Sequence, residues 1–143
     1  MTQVKVTVLG VSKLQETLKS LNTNINKGVN DGLSAIGLIV QNHAKQALQK
    51  PPKTGKLRKK RRNKNVVHQS SAPGEAPATD TGTLVNSIQM DVNENTQSVT
   101  ISALTNYAAA LEFKMNRPFL RPAVEQNKER FTGIIAAYIE KNT

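Results

Sequence analysis

The feature that most constrains this chain is a single apolar stripe of helical period that runs from residue 14 to residue 47 and stops at a double proline. Leu14, Leu18, Leu21, Ile25, Val29, Leu33, Ile36, Val40, Ala44 and Ala47 follow one another at intervals of three or four, which places them on one face of an α-helix. Lys13, Glu16, Lys19, Asn22, Asn26, Lys27 and Asn30 fall on the opposite side. Ser12, with Gln15 three residues on, forms a helix-start pair. Pro51 and Pro52 stop the helix, because proline lacks the N–H donor and restricts the residue before it. A straight helix over 13–49 is about 55 Å long at 1.5 Å per residue. That is too long for one small domain. The chain has to bend near Gly28 or Gly32, or project the helix onto a neighbouring subunit.

The flanking segments indicate what this helix packs against. Val4, Val6 and Val8 alternate with Lys5 and Thr7, the period of a half-buried strand. Thr81 caps a short helical turn through Leu84 and Val85. Residues 88–92 and 98–103 alternate around the turn Asn93-Glu94-Asn95-Thr96, with Val99 and Ile101 inward, which predicts a hairpin. Residues 107–113 read as a short helix broken at Arg117-Pro118. A last helix starts around Pro122, runs to about 142, and buries Val124, Phe131, Ile134, Ile135, Tyr138 and Ile139. All five aromatic residues lie between Tyr107 and Tyr138, so they are expected to anchor the C-terminal core. The fold class is therefore α+β. A small antiparallel sheet of three to four strands packs against a long N-terminal helix and a C-terminal helix. With 143 residues, one domain over 1–143 is expected.

Charge divides the chain unevenly. Of its 20 Lys and Arg, nine fall within 50–64: Lys50, Lys53, Lys56, Arg58, Lys59, Lys60, Arg61, Arg62 and Lys64. That window holds no acid, and the rest of the chain has eleven basic against ten acidic residues. Residues 70–80 are small and turn-forming. Together, about 50–80 reads as a long, flexible insertion loop, basic and then Pro/Gly-rich, that orders against a partner. The basic run suits neutralisation of DNA phosphates, a salt-sensitive interaction without sequence preference. A merely solvated loop is the plain alternative, and an acidic protein partner is a third option. No aromatic is interleaved with it, which argues against base stacking.

Nothing in the sequence points to catalysis. There is no cysteine, so disulfides, thiolate metal sites and thiol nucleophiles are excluded. His43 and His68 stand 25 residues apart in no metal-ligand spacing, and no carboxylates are paired for acid–base work. No catalytic, metal or cofactor-binding residue is assigned, and no cofactor is expected. The most apolar window, 33–40, is interrupted by Ser34 and Gly37 and is far too short to span a bilayer.

Two segments carry a resemblance. The string Ser71-Ala72-Pro73-Gly74-Glu75-Ala76-Pro77-Ala78-Thr79-Asp80-Thr81-Gly82, followed by Leu84 and then Ser87-Ile88, resembles the central signature of the tail-completion, or head–tail joining, proteins of siphovirus-type tailed bacteriophages. Asn106-Tyr107-Ala108, then Leu111-Glu112-Phe113 and Arg117-Pro118-Phe119-Leu120-Arg121-Pro122-Ala123, is similar to that family's second signature. Order, spacing and the N-terminal strand-then-helix pattern agree over nearly the whole chain. One departure is Lys114, where the family usually has glycine, which implies a more regular helix end. The resemblance implies a non-enzymatic virion protein of the neck or upper tail, assembled in the bacterial cytoplasm as a ring, sixfold to suit a tail tube. Its partners would be further copies of itself, the tail terminator, the head-closure ring or the tail tube, and double-stranded DNA passing through the lumen, with no membrane. The assembly and packing residues would be Thr81, Gly82, Leu84, Ser87, Ile88, Tyr107, Glu112, Phe113, Arg117, Pro118, Phe119, Leu120, Arg121 and Pro122. The alternative is a nucleic-acid-binding module acting through residues 50–64.

Overall fold

The computed structural model describes residues 3–7, 23–50, 53–60 and 62–143. The helix-start pair Ser12 and Gln15, the stripe residues Leu14, Leu18 and Leu21, Val8, the Pro51-Pro52 stop and Arg61 lie outside the described residues. In chain order the elements are β1 (Val4–Thr7), α1 (Thr23–Gln49), β2 (Leu57–Lys59), β3 (Val67–Gln69) and α2 (Thr83–Asn86). Then come β4 (Ile88–Asn93), β5 (Ser98–Ala103), a π-helical turn (Ala110–Lys114), α3 (Leu120–Glu125) and α4 (Lys128–Asn142). The class is α+β: α1 packs on a three-stranded antiparallel sheet and the C-terminal helix packs on α1.

The sheet order is β1-β5-β4. The predicted hairpin is present in register, with Ile88 opposite Ala103 and Asn93 opposite Ser98. β1 closes the other side of β5, with Val4 opposite Ala103. Alternation then sends Val99, Ile101, Ala103 and Ile88 into the core under α1, while Gln89, Asp91 and Asn93 stay exposed. The outer face of this sheet is polar, as an antiparallel sheet with one wet side permits.

Within its described length α1 is unbroken and about 40 Å long at 1.5 Å per residue. Ile25, Val29, Leu33, Ile36, Val40 and Ala44 are buried as the stripe predicts. At the C-terminal end the core residue is Leu48, not Ala47, because a 3.6-residue period drifts from a strict three-or-four count. Gly28 and Gly32 mark a close approach and not a break. A Cβ on Gly28 would stand 2.7 Å from the Ile139 Cα, and one on Gly32 3.1 Å from the Ile135 Cα. Two glycines one helical turn apart thus let the backbone of α4 rest on α1.

Three expectations need correction. Residues 50–80 are not without secondary structure: β2 and β3 pair antiparallel, Leu57 opposite Gln69 and Lys59 opposite Val67. These strands are three residues long and largely exposed, so they leave no apolar alternation to read. The last helix is two, because α3 ends at Glu125 and α4 begins at Lys128. At the junction Asn127 is buried, and its Nδ2 donates to the Ala123 carbonyl (2.7 Å) and to His43 Nδ1 (2.8 Å). Finally, only some aromatics anchor the core: Phe119 and Phe131 are buried, while Phe113 is 64% exposed and Tyr107 43%.

Candidate functional site

The corner between the π-helical turn and α3 is built around one carboxylate. Glu112 is buried, and its Oε2 accepts the N–H groups of Phe119 (2.8 Å) and Leu120 (3.2 Å) while Oε1 accepts that of Arg121 (2.8 Å). The first amides of a helix have no partner within it. Phe119 precedes α3 and gives it no side-chain cap, so Glu112 reaches across eight residues of chain to do so. The π-helical turn fits this need. Met115 N–H bonds back five residues to Ala110 (2.9 Å), and the extra residue resets the direction of the turn that carries Glu112. Pro122 lies in the first turn of α3, where its missing N–H is harmless. The left-handed residue that ends the turn is Asn116 (φ 50°), two positions after Lys114. Phe119 and Leu120 are driven into the core, Pro118 is half-buried, and the Arg121 side chain is exposed.

The other segment, 71–88, is fastened to this corner. Gly74, at φ 89°, donates its N–H to the Asn116 carbonyl (2.6 Å). The Glu75 carboxylate accepts from the backbone N–H groups of Thr54 and Ala72 (2.9 Å each) and from the Thr54 hydroxyl. Led by the hydroxyl bond, these donors hold the Glu75 carboxyl at about 2, below its ordinary 4.5. Lys53 Nζ donates to the carbonyls of Ala47 and Ala76 (2.8 Å each), and burial lowers its pKa while nearby Glu75 opposes that shift. Farther on, Gly82 adopts φ 78° and starts α2, with Thr81 Oγ1 accepting from the Thr83 N–H (3.4 Å). The Ser87 hydroxyl donates to the Leu84 carbonyl (2.8 Å), the Ser87 carbonyl accepts from Leu104, and Ile88 is buried.

Both segments meet at one recess of about 250 Å³. Thr79, Asp80, Thr81, Gly82 and Leu84 line it from the first, Tyr107, Leu111 and Arg117 from the second, and His68 from the basic hairpin. Arg117 is half-buried, and its Nε is shielded from solvent with no acceptor among the described residues. A second recess of about 370 Å³ borders β1, between Val4, Val6, Phe113, Arg121 and Val124.

The basic run is not uniform. Lys53 is tied to backbone carbonyls, and Lys60 pairs with Asp80 at 2.8 Å, a bond that lowers the Asp80 pKa. Lys50 donates to Gln46 Oε1 (3.2 Å), and Lys56 is exposed. Arg58, Lys59, Arg62 and Lys64 are exposed and make no ion pair among the described residues. Sequence reasoning gave all nine one role, whereas the fold uses Lys53 and Lys60 to hold the hairpin and its following loop in place. It also missed His68 as a member of the recess, since no local pattern marks it.

Among the described residues no group of three or more His, Asp or Glu is placed to hold a metal ion. No described helix is long and apolar enough to cross a membrane. No family model, curated protein or solved structure matches the chain.

Proposed function

We propose that this chain is a non-enzymatic structural protein of a tailed-phage virion. It is a tail-completion or head–tail joining subunit that forms a ring, hexameric to match a tail tube, at the neck. One observation carries the reading. The segments 71–88 and 106–123, on which the family resemblance rests, are separated by the β4–β5 hairpin yet border one surface recess and are joined through Gly74 and Asn116. Core packing accounts for Phe119, Leu120 and Ile88. It does not account for Thr81, Tyr107 or Arg121, which are exposed. Residues of a shared pattern that stay at the surface, on a corner braced by Glu112, suit contact with neighbouring subunits: further copies, a tail terminator, a head-closure ring or the tail tube. Particles assembled without this protein test the reading. Heads and tails that fail to join are the expected result, and stable, infectious joints would overturn it.

A second reading, duplex DNA binding in the ring lumen or in solution, draws on the exposed cations Arg58, Lys59, Arg62 and Lys64. Replacing these four by alanine should lower the salt slope of DNA binding by about 3–4, one counterion release per lost phosphate contact. An unchanged slope removes this reading and leaves the first intact.

A further inference from the structure

The two ends of α1 bear opposite charge on the elements that flank them. At the C-terminal end, Thr79 Oγ1 donates to the Leu48 carbonyl (2.8 Å), and both residues line the recess of about 250 Å³. The basic β2–β3 hairpin borders it, and its lining holds one arginine, Arg117, and one carboxylate, Asp80. Arg58 and His68 are cross-strand partners and so project to the same side of the β2–β3 hairpin, the side on which His68 enters the recess. Arg117 enters it from the corner with its Nε buried and without an acceptor among the described residues. The carboxylate present, Asp80, is already engaged by Lys60. A shielded guanidinium donor with no acceptor among the described residues is an energetic cost, and a carboxylate from a neighbouring copy removes it.

At the N-terminal end lies the β4–β5 turn, where Gln97 Nε2 donates to Asn26 Oδ1 (3.5 Å). From Asn26 to Leu48 is about 33 Å of helix at 1.5 Å per residue. Residues 69–113 contain five acids and no base, and on this hairpin the exposed ones are Asp91 and Glu94. The turn is stiffened by Asn93 Oδ1, which accepts the N–H groups of Asn95 (3.0 Å) and Thr96 (3.1 Å), so Glu94 is held outward. Lys27 and Lys141 also belong to this end, but on α1 and α4, not on the hairpin.

We infer that copies of this chain associate head to tail, with the β4–β5 turn of one placing Glu94 against Arg58, His68 and Arg117 of the next. The inference rests on the ring-forming reading above and names its contact. Complementary patches at opposite ends of a molecule make a heterologous contact, which closes into a ring when the rotation permits. A protein turn fits better than DNA because the Arg117 donor lies inside a recess. A side chain enters such a recess, whereas a duplex meets it with a convex backbone. Tyr107 lines the same recess, and an aromatic beside arginine is characteristic of protein interfaces.

Sedimentation of the full chain at low and high salt tests this. The wild type should form an oligomer that salt weakens. Glu94→Lys and Arg58→Glu, both on exposed side chains, should each weaken self-association at least about 10-fold. The two together in one chain should restore it, as should an equimolar mixture of the two single variants. An oligomer indifferent to Glu94→Lys overturns the contact and leaves the ring standing. A wild type that is monomeric at low salt overturns both. Loss of duplex DNA affinity in Arg117→Gln, with assembly and melting temperature unchanged, assigns the recess to DNA and also overturns the inference.

Discussion

Glu112 is the residue on which the corner turns. It is buried, and its three backbone donors belong to the start of a helix that otherwise has no cap. Glu112→Gln keeps the shape but removes the charge and turns one acceptor into a donor facing an N–H. It should destabilise the fold by about 2–4 kcal/mol, seen as a lower denaturant midpoint at unchanged slope. Glu75 makes a similar set of bonds near the surface, with a different consequence. Its carboxyl is lowered in the folded state, so the stabilisation it gives is complete above its ordinary 4.5 and is lost as pH falls toward about 2. The amide signals of Thr54 and Ala72, followed by NMR, should therefore titrate with a midpoint near 2, and Thr54→Val should move that midpoint upward. Neither role is visible in the sequence. A glutamate beside an exposed phenylalanine, and another in a Pro/Gly-rich stretch, carry no local sign that backbone amides will converge on them.

Among the elements, those with a long regular period were legible and those held by tertiary contacts were not. The stripe in α1 and the alternation in β4 and β5 follow from burial of one face, so the residues announce it. The β2–β3 ladder has nothing buried on β2 to announce, and Leu57 is 68% exposed. The π-helical turn and the break at Asn127 arise from partners far along the chain, Glu112 with the start of α3 and Asn127 with His43. The α1–α4 contact lay in between: the glycines were evident, but their purpose was not. Gly28→Ala tests that purpose. Alanine favours an isolated helix over glycine by about 1 kcal/mol. Here its methyl would meet the backbone of Ile139 and Tyr138, which cannot move as a side-chain tip can, so a net loss of about 1–3 kcal/mol is expected. Gly133→Ala is the control. A Cβ there meets nothing within 4 Å, and α4 should gain about 0.5–1 kcal/mol, read as a higher melting temperature.

For the whole molecule, protection should follow the layers. β5 is paired on both sides, and α1 covers it with its buried face, so amides of β5 and central α1 should exchange most slowly with solvent. Those of β2 and β3, a two-stranded ladder with a bare face, should exchange first, and hydrogen exchange followed by mass spectrometry would order them. The recess was legible only in parts: the resemblance singled out both of its walls, but their meeting depends on how Gly74 and Asn116 bring the chain back on itself. The glycine notch has a practical consequence as well. With the backbone of α4 resting directly on α1, and Asn142 Nδ2 donating to Asp31 Oδ2 (3.5 Å), the end of the last helix is tied to α1 at two places. A gold particle or fluorophore carried on Thr143 would therefore be a fixed landmark, and its radius in an averaged image of the particle would report how each subunit is oriented about the axis.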